Sequence, residues 1–274
     1  MEDRRERLVY KPTELPEEAY CDNWLSKNGL EMIDDFPVNN PWFLQVNFTG
    51  PHDPWDVTQE MRERWQDIDF PVPVEWSEED KVEEIKKVRQ NYAAMLENID
   101  RNIGLYLDKL EERGELDNTI IIYSADHGEM LGDFNKWGKS SPQKGSVRVP
   151  LVISGPEIKD ITENLYTDSL VELQDLTATI LDYCGLEMPE AKDSTSLRPV
   201  LSGARKEHRK YQISELKNRK RNWKLVADNR YKLINYQDKK KNQLFDLETD
   251  PEQNNPIEDE SVEKKMIAHL KRFI

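Results

Sequence analysis

Hydrophobic positions outline this chain before any motif does. The first forty residues are polar and punctuated by Pro12, Pro16 and Pro37, which predicts loop with one short helix over about Glu17 to Leu30. From Pro41 the texture changes. Trp42-Phe43-Leu44-Gln45-Val46-Asn47-Phe48 is rich in aromatic and β-branched residues and predicts a buried strand. Gly50, Pro51 and Pro54 end it in a loop that carries His52. Val82, Ile85, Val88, Tyr92, Met95, Ile99, Ile103, Tyr106 and Leu110 recur at steps of three or four, predicting a long amphipathic helix with Ser77 and Asp80 at its N-cap and Gly114 as its stop. Thr119 to Ser124 is almost wholly apolar and predicts a strand covered on both faces. A third strand over Val149 to Ser154 and a helix from about Leu170 to Tyr183, before Gly185, complete this part.

That order of elements predicts an α/β fold with a mostly parallel sheet flanked by helices, over residues 1–200. Beyond Arg198 the pattern turns antiparallel. Trp223 to Ala227, Arg230 to Tyr236 and Gln243 to Leu247 are short strands joined by the turn Asp228-Asn229 and the basic turn Asp238-Lys239-Lys240-Lys241-Asn242. With a last helix from about Ser261 to Phe273 they predict a small antiparallel β plus helix subdomain, residues 201–274.

Composition narrows the function. The 274 residues carry 54 acidic and 39 basic side chains, a net charge of −15, and 34% of them are charged. A duplex binder needs a basic face to displace counterions, so nucleic acid is excluded as a partner, while a small anion in a pocket needs only two or three placed cations. Cys21 and Cys184 form no metal-ligand spacing and read as free thiols. No apolar run approaches the ~20 residues of a membrane span, and no secretory signal is visible, which leaves the compartment open.

In an open α/β sheet ligands bind beyond the carboxyl ends of strands. The central strand runs into Ala125-Asp126-His127-Gly128-Glu129, a hard carboxylate beside an imidazole, and the first runs towards His52 between two prolines. Trp137-Gly138-Lys139 adds a mobile cation able to meet an anionic oxygen. Taken singly these are also what a capped turn, a backbone-bonded loop histidine and a solvated lysine look like; their convergence on one crevice is what would make a site. Cys184 follows an apolar helix and reads as packing, and Cys21 has no paired histidine.

The run Tyr123 to Asp133, then Trp137-Gly138-Lys139, then Ser146 to Val152 resembles the metal-binding strand end and following loop of the sulfatases, in the alkaline phosphatase superfamily. Phe48-Thr49-Gly50-Pro51-His52-Asp53-Pro54 is similar to that family's PHxP loop, and Leu244 to Glu252 to its LFDLxxDPxE motif. The resemblance implies an alkaline-phosphatase-like fold, incomplete here. It implies Asp126 and His127 as ligands of a divalent cation, usually calcium, although many members have Asn where His127 stands. His52 and Lys139 would contact the sulfate, with His52 or its neighbourhood helping the leaving oxygen depart. Asp53, Trp55, Asp56 and Trp76 are candidates for gripping a sugar, and Arg148 and Glu129 for orienting the Asp126 loop.

The family's formylglycine nucleophile arises from Cys or Ser in a C/S-x-P/A-x-R segment, and neither Cys21 nor Cys184 fits one. Calcium takes about six to eight oxygen ligands, so Asp126 and His127 alone make a weak site. The expectation is therefore the C-terminal portion of a metal-dependent sulfatase for a sulfated small molecule or glycan, inactive as this chain alone. Alternatives are a phosphonate or phosphodiester hydrolase and a noncatalytic anion-binding or assembly subunit. The lost N-terminal strands would leave an apolar edge to be covered by a homo-oligomer or by the missing N-terminal half.

Overall fold

The apolar spacing of residues 82 to 110 produces the longest element of the protein. The computed structural model describes residues 10–38, 40–158, 167–189, 193–237 and 241–271. The chain divides into two units, Met1–Thr119 with Glu129–Gly138, and Ile120–Gly128 with Lys139–Ile274. The boundary expected at residue 200 lies within the second unit.

Helices α1 (Cys21–Asp35), α2 (Gln59–Glu63) and α3 (Val82–Glu112) carry the first unit. α3 buries Ile85, Val88, Met95, Ile99 and Leu110, and α1 buries Asp22, Ser26, Gly29 and Ile33, each set lying along one face. The two helices pack closely. A Cβ at position 29 would overlap the Tyr106 hydroxyl, which donates to the Ser26 carbonyl (3.0 Å). α3 ends in a Schellman motif, with Gly114 N–H on the Glu111 carbonyl and Glu115 N–H on the Leu110 carbonyl (both 2.9 Å), and Gly114 supplies the positive φ of 67°. Its start departs from expectation. Asn135 Oδ1 takes the Ser77 N–H (3.0 Å) and hydroxyl (2.9 Å), so Ser77 caps nothing and a 3-10 turn over Glu79–Lys81 leads into the helix. α1 likewise begins and ends later than predicted, stopping at Asp35 because Phe36 precedes Pro37 and is driven from the helical region.

Trp42 to Phe48 is extended but has no ladder partner among the described residues, and it is not buried as expected. Only one side is packed. Trp42, Leu44, Val46 and Phe48 are half-buried, Trp42 lying 5.1 Å from the Phe36 ring, while Phe43, Gln45 and Asn47 face solvent.

In the second unit β1 (Ile121–Ser124) pairs with β2 (Leu151–Ser154), Ile121 opposite Ser154 and Ser124 opposite Leu151. The one described pair of the expected parallel sheet is thus antiparallel; β1 is half-buried rather than covered, and β2 alternates between half-buried and exposed positions, with Val152 59% exposed. The short helix α4 (Lys144–Val147) lies in their connection. α5 (Gln174–Tyr183) starts later than predicted because Leu170 bridges to Arg209, and α6 (Arg198–Leu201) follows. The N-terminal turn of α5 holds a fully buried Asp175, which bonds Arg209, His208 Nε2 (3.0 Å) and the N–H groups of Glu172 (2.9 Å) and Thr195 (3.0 Å). Burial alone pushes this carboxyl up; Arg209 and the backbone donors outweigh it and hold the group below its usual range.

The antiparallel meander is present, with one strand more than predicted: β3 (Gln212–Lys217), β4 (Asn222–Ala227), β5 (Tyr231–Tyr236) and β6 (Gln243–Asp246), paired in that order. α7 (Glu260–Leu270), capped by Asp259, packs Met266 and Leu270 against Val226, Leu233 and Leu244. On the opposite face Trp223, Leu225, Ile234 and Phe245 pack with Val147 of α4, so period-two alternation puts apolar groups on both sides. Residues 238–240 of the basic turn and 272–274 of the last helix lie outside the described residues. No described helix is long and apolar enough to cross a membrane.

Candidate functional site

β1 delivers Asp126 and His127 just past its carboxyl end. Asp126 Oδ1 accepts the His127 N–H (2.9 Å), Oδ2 lies 3.5 Å from His127 Nε2, and the carboxylate is 86% exposed. His127 Nδ1 is 2.9 Å from the Gly128 carbonyl, which can only accept, so Nδ1 carries the proton and Nε2 presents its lone pair. Lys139 Nζ stands 2.6 Å from that nitrogen. Thus Asp126, His127 and Lys139, all in the second unit, do come together. Gly128 makes the tight approach possible. Its N–H donates to the Ser146 carbonyl (2.9 Å), and a Cβ there would overlap the Gly145 carbonyl.

Side chains of the meander grip the segment after Lys139. Arg221 donates to the Lys139 carbonyl (2.9 Å), the Trp223 indole to the Ser140 carbonyl (3.3 Å), and Lys232 to the Pro142 carbonyl and Gln253 Oε1 (both 2.7 Å). Ser140 sits at φ 72°, a strained conformation for a residue with a side chain. Burial pushes the Lys232 amine down to about 7, since little water reaches the charged form. The LFDLxxDPxE run closes the clamp, Glu252 taking Lys144 (2.8 Å) and Asp246 taking Arg230 (3.0 Å).

His52 lies in the first unit, 46% exposed, on the loop between two cis-prolines. Its Nδ1 faces the Asp53 carbonyl (2.8 Å) and Oδ1 (3.1 Å), so that nitrogen again carries the proton. Sequence reasoning missed what holds the loop. Asp22, buried on α1, accepts from Thr49 N–H (2.7 Å), Thr49 Oγ1 (2.9 Å) and Gly50 N–H (3.1 Å), and a Cβ on Gly50 would overlap it. Of the other candidates, Trp55 is buried in the core with Val57, Met61 and Val88 and cannot reach a sugar. Trp76 spends its N–H on the Glu78 carbonyl (2.5 Å). Glu129 holds its own loop, accepting from Leu131 N–H (3.2 Å) and Gly138 N–H (2.5 Å). Arg148 is exposed.

Among the described residues no three His, Cys, Asp or Glu side chains cluster to hold a metal ion. Asp126 and His127 still fit two ligand positions: an exposed carboxylate oxygen, and an Nε2 lone pair whose tautomer a carbonyl fixes from behind.

Residues 3–186 match the family model described as Sulfatase, and residues 132–274 the one described as N-sulphoglucosamine sulphohydrolase, C-terminal. The chain belongs to the sulfatase family. This sulfatase-family chain is 26% identical to the arylsulfatase of Clostridium perfringens (strain 13 / Type A), over 97% of its own length and 59% of the relative's. It is 30% identical to the choline-sulfatase of Rhizobium meliloti (strain 1021), over 81% and 47% respectively. The solved phosphonate monoester hydrolase of Agrobacterium radiobacter shares the fold, with a TM-score of 0.79 at 20% identity, covering 97% of this chain and 62% of that one. The alkaline-phosphatase-like architecture expected from the motifs is therefore the one observed. The chain spans about half the length of the curated relatives it matches.

Proposed function

We propose that this chain supplies the anion-binding part of a sulfatase that hydrolyses sulfate monoesters of a small molecule or glycan. The observation that carries the reading is the 2.6 Å contact between Lys139 Nζ and His127 Nε2, with Asp126 beside it. In this reading Asp126 and His127 are the metal ligands. A divalent cation bound there, calcium by family resemblance, would neutralise charge on the sulfate oxygens. Lys139 offers its ammonium protons to a sulfate oxygen, moving off the His127 Nε2 lone pair that the cation would take. His52, implied by the family resemblance as a contact of the leaving oxygen, belongs to the first unit and is described there by itself, its Nδ1 facing the Asp53 carbonyl and carboxylate. Neither cysteine lies in a formylglycine segment, so this reading assigns no nucleophile to these residues.

The test is calorimetric titration of inorganic sulfate onto the purified chain, beside turnover assays with 4-nitrophenyl sulfate and an aryl phosphonate monoester. Expected are saturable sulfate binding that Lys139→Ala weakens by about tenfold or more, as for a lost hydrogen bond to a charged group, and no ester turnover. Sulfate binding indifferent to Lys139→Ala would overturn the site. Turnover abolished by Asp126→Ala would show that the chain is itself catalytic, and turnover of the phosphonate alone would move it to the phosphonate hydrolases.

A further inference from the structure

The turn between β3 and β4 reads Lys217-Asn218-Arg219-Lys220-Arg221, four cations in five residues of a chain whose net charge is −15. All four side chains are exposed, and none is ion-paired among the described residues. Lys224, farther along the same hairpin, shows the ordinary arrangement, paired with Glu215 at 3.0 Å. The turn is also built rather than loose. Asn218 Oδ1 accepts from the N–H of Lys220 (2.9 Å) and Arg221 (2.8 Å), and the Asn218 N–H donates to the Arg221 carbonyl (2.8 Å). Its last member, Arg221, donates to the Lys139 carbonyl (2.9 Å), so the cationic turn is tied to the backbone of the residue whose ammonium is assigned to the sulfate.

We propose that this hairpin is a second anion subsite, and that the substrate carries another oxyanion, sulfate or carboxylate, beside the ester group held at Lys139. The proposal rests on the reading of Lys139 given above. Successive Cα atoms are about 3.8 Å apart, so Arg219 and Lys220 lie within about 7.6 Å of Arg221 along the chain, the residue whose side chain ties the turn to Lys139. Arg219 offers a planar donor fork and Lys220 a point charge, the two ways a protein meets an oxyanion. Four adjacent like charges repel one another, and an acidic surface elsewhere turns anions away, so this turn is the place where a second negative group gains most.

Phenyl sulfate, 4-carboxyphenyl sulfate and 1,4-phenylene disulfate, titrated onto the purified chain, separate the outcomes. The two dianions are expected to bind about tenfold or more tightly than phenyl sulfate, and Arg219→Ala with Lys220→Ala to abolish that advantage while phenyl sulfate binding stays as it was. Arg219→Gln with Lys220→Gln, checked by circular dichroism, repeats the test with the side-chain bulk kept. An advantage confined to one dianion identifies the second group as carboxylate or sulfate. Equal affinity for all three, or an advantage that survives both substitutions, overturns the subsite and leaves the Lys139 reading standing. Binding of none of them overturns both.

Discussion

The loop bearing His52 and the segment bearing Lys139 are held by opposite chemistry. In the first unit one buried carboxylate, Asp22, gathers N–H and O–H donors from Thr49 and Gly50. In the second, three donors from separate places on the meander, Arg221, Trp223 and Lys232, each take a different carbonyl. A single acceptor is a single point of failure. Distributed donors share the work, and only one of them, Lys232, carries a large electrostatic penalty, because it is buried without a carboxylate partner.

The largest effect expected is on pH dependence. Lys232 ionises near 7 in the folded chain against 10.5 when unfolded. Between those values the unfolded state binds the extra proton, so this group makes stability rise with pH across the window by roughly 4–5 kcal/mol in all. Lys232→Met should flatten the rise in urea-unfolding free energies measured from pH 7 to 10; an unchanged slope would break the contrast. Asp22→Ala comes next, stranding three donors at a cost of about 2–3 kcal/mol, with Asn at the same position retaining an acceptor and losing about 1 kcal/mol. If Ala and Asn cost the same, the loop is not held as described. Trp223→Phe keeps the packing and removes only the bond to Ser140, about 1 kcal/mol by the same unfolding measurement. A loss as large as that of Asp22→Ala would show the donors to be as concentrated as the acceptor.

Much of the fold was legible because burial follows period. The 3.6-residue spacing located α3 and the two-residue spacing located β4, β5 and β6. The signal failed where a partner outside the segment decided the outcome. Trp42 to Phe48 alternates like a strand but finds no ladder among the described residues, Ser77 was drawn to Asn135 instead of capping, and β3 is an ordinary-looking Gln-Ile-Ser-Glu-Leu-Lys that becomes a strand by pairing with β4. At the site, His127 and Lys139 could be read as neighbours from the motif. Asp22 and Lys232 could not, since a lone acid in a polar stretch and a lysine within a strand both look solvent-facing. The faint clue was parity: Lys232 falls on the same strand face as Ile234, which is fully buried.

Anyone seeking new substrates by randomising the residues around His127 will find one position closed. At 128 even alanine would drive a methyl group into the Gly145 carbonyl. Because Gly145 lies within the four-residue α4, the intrusion would press on the helix that carries Val147 against the sheet. Selection at 128 should return glycine however large the library, while at the exposed Asp126 a substitution gives up only the bond from the His127 N–H.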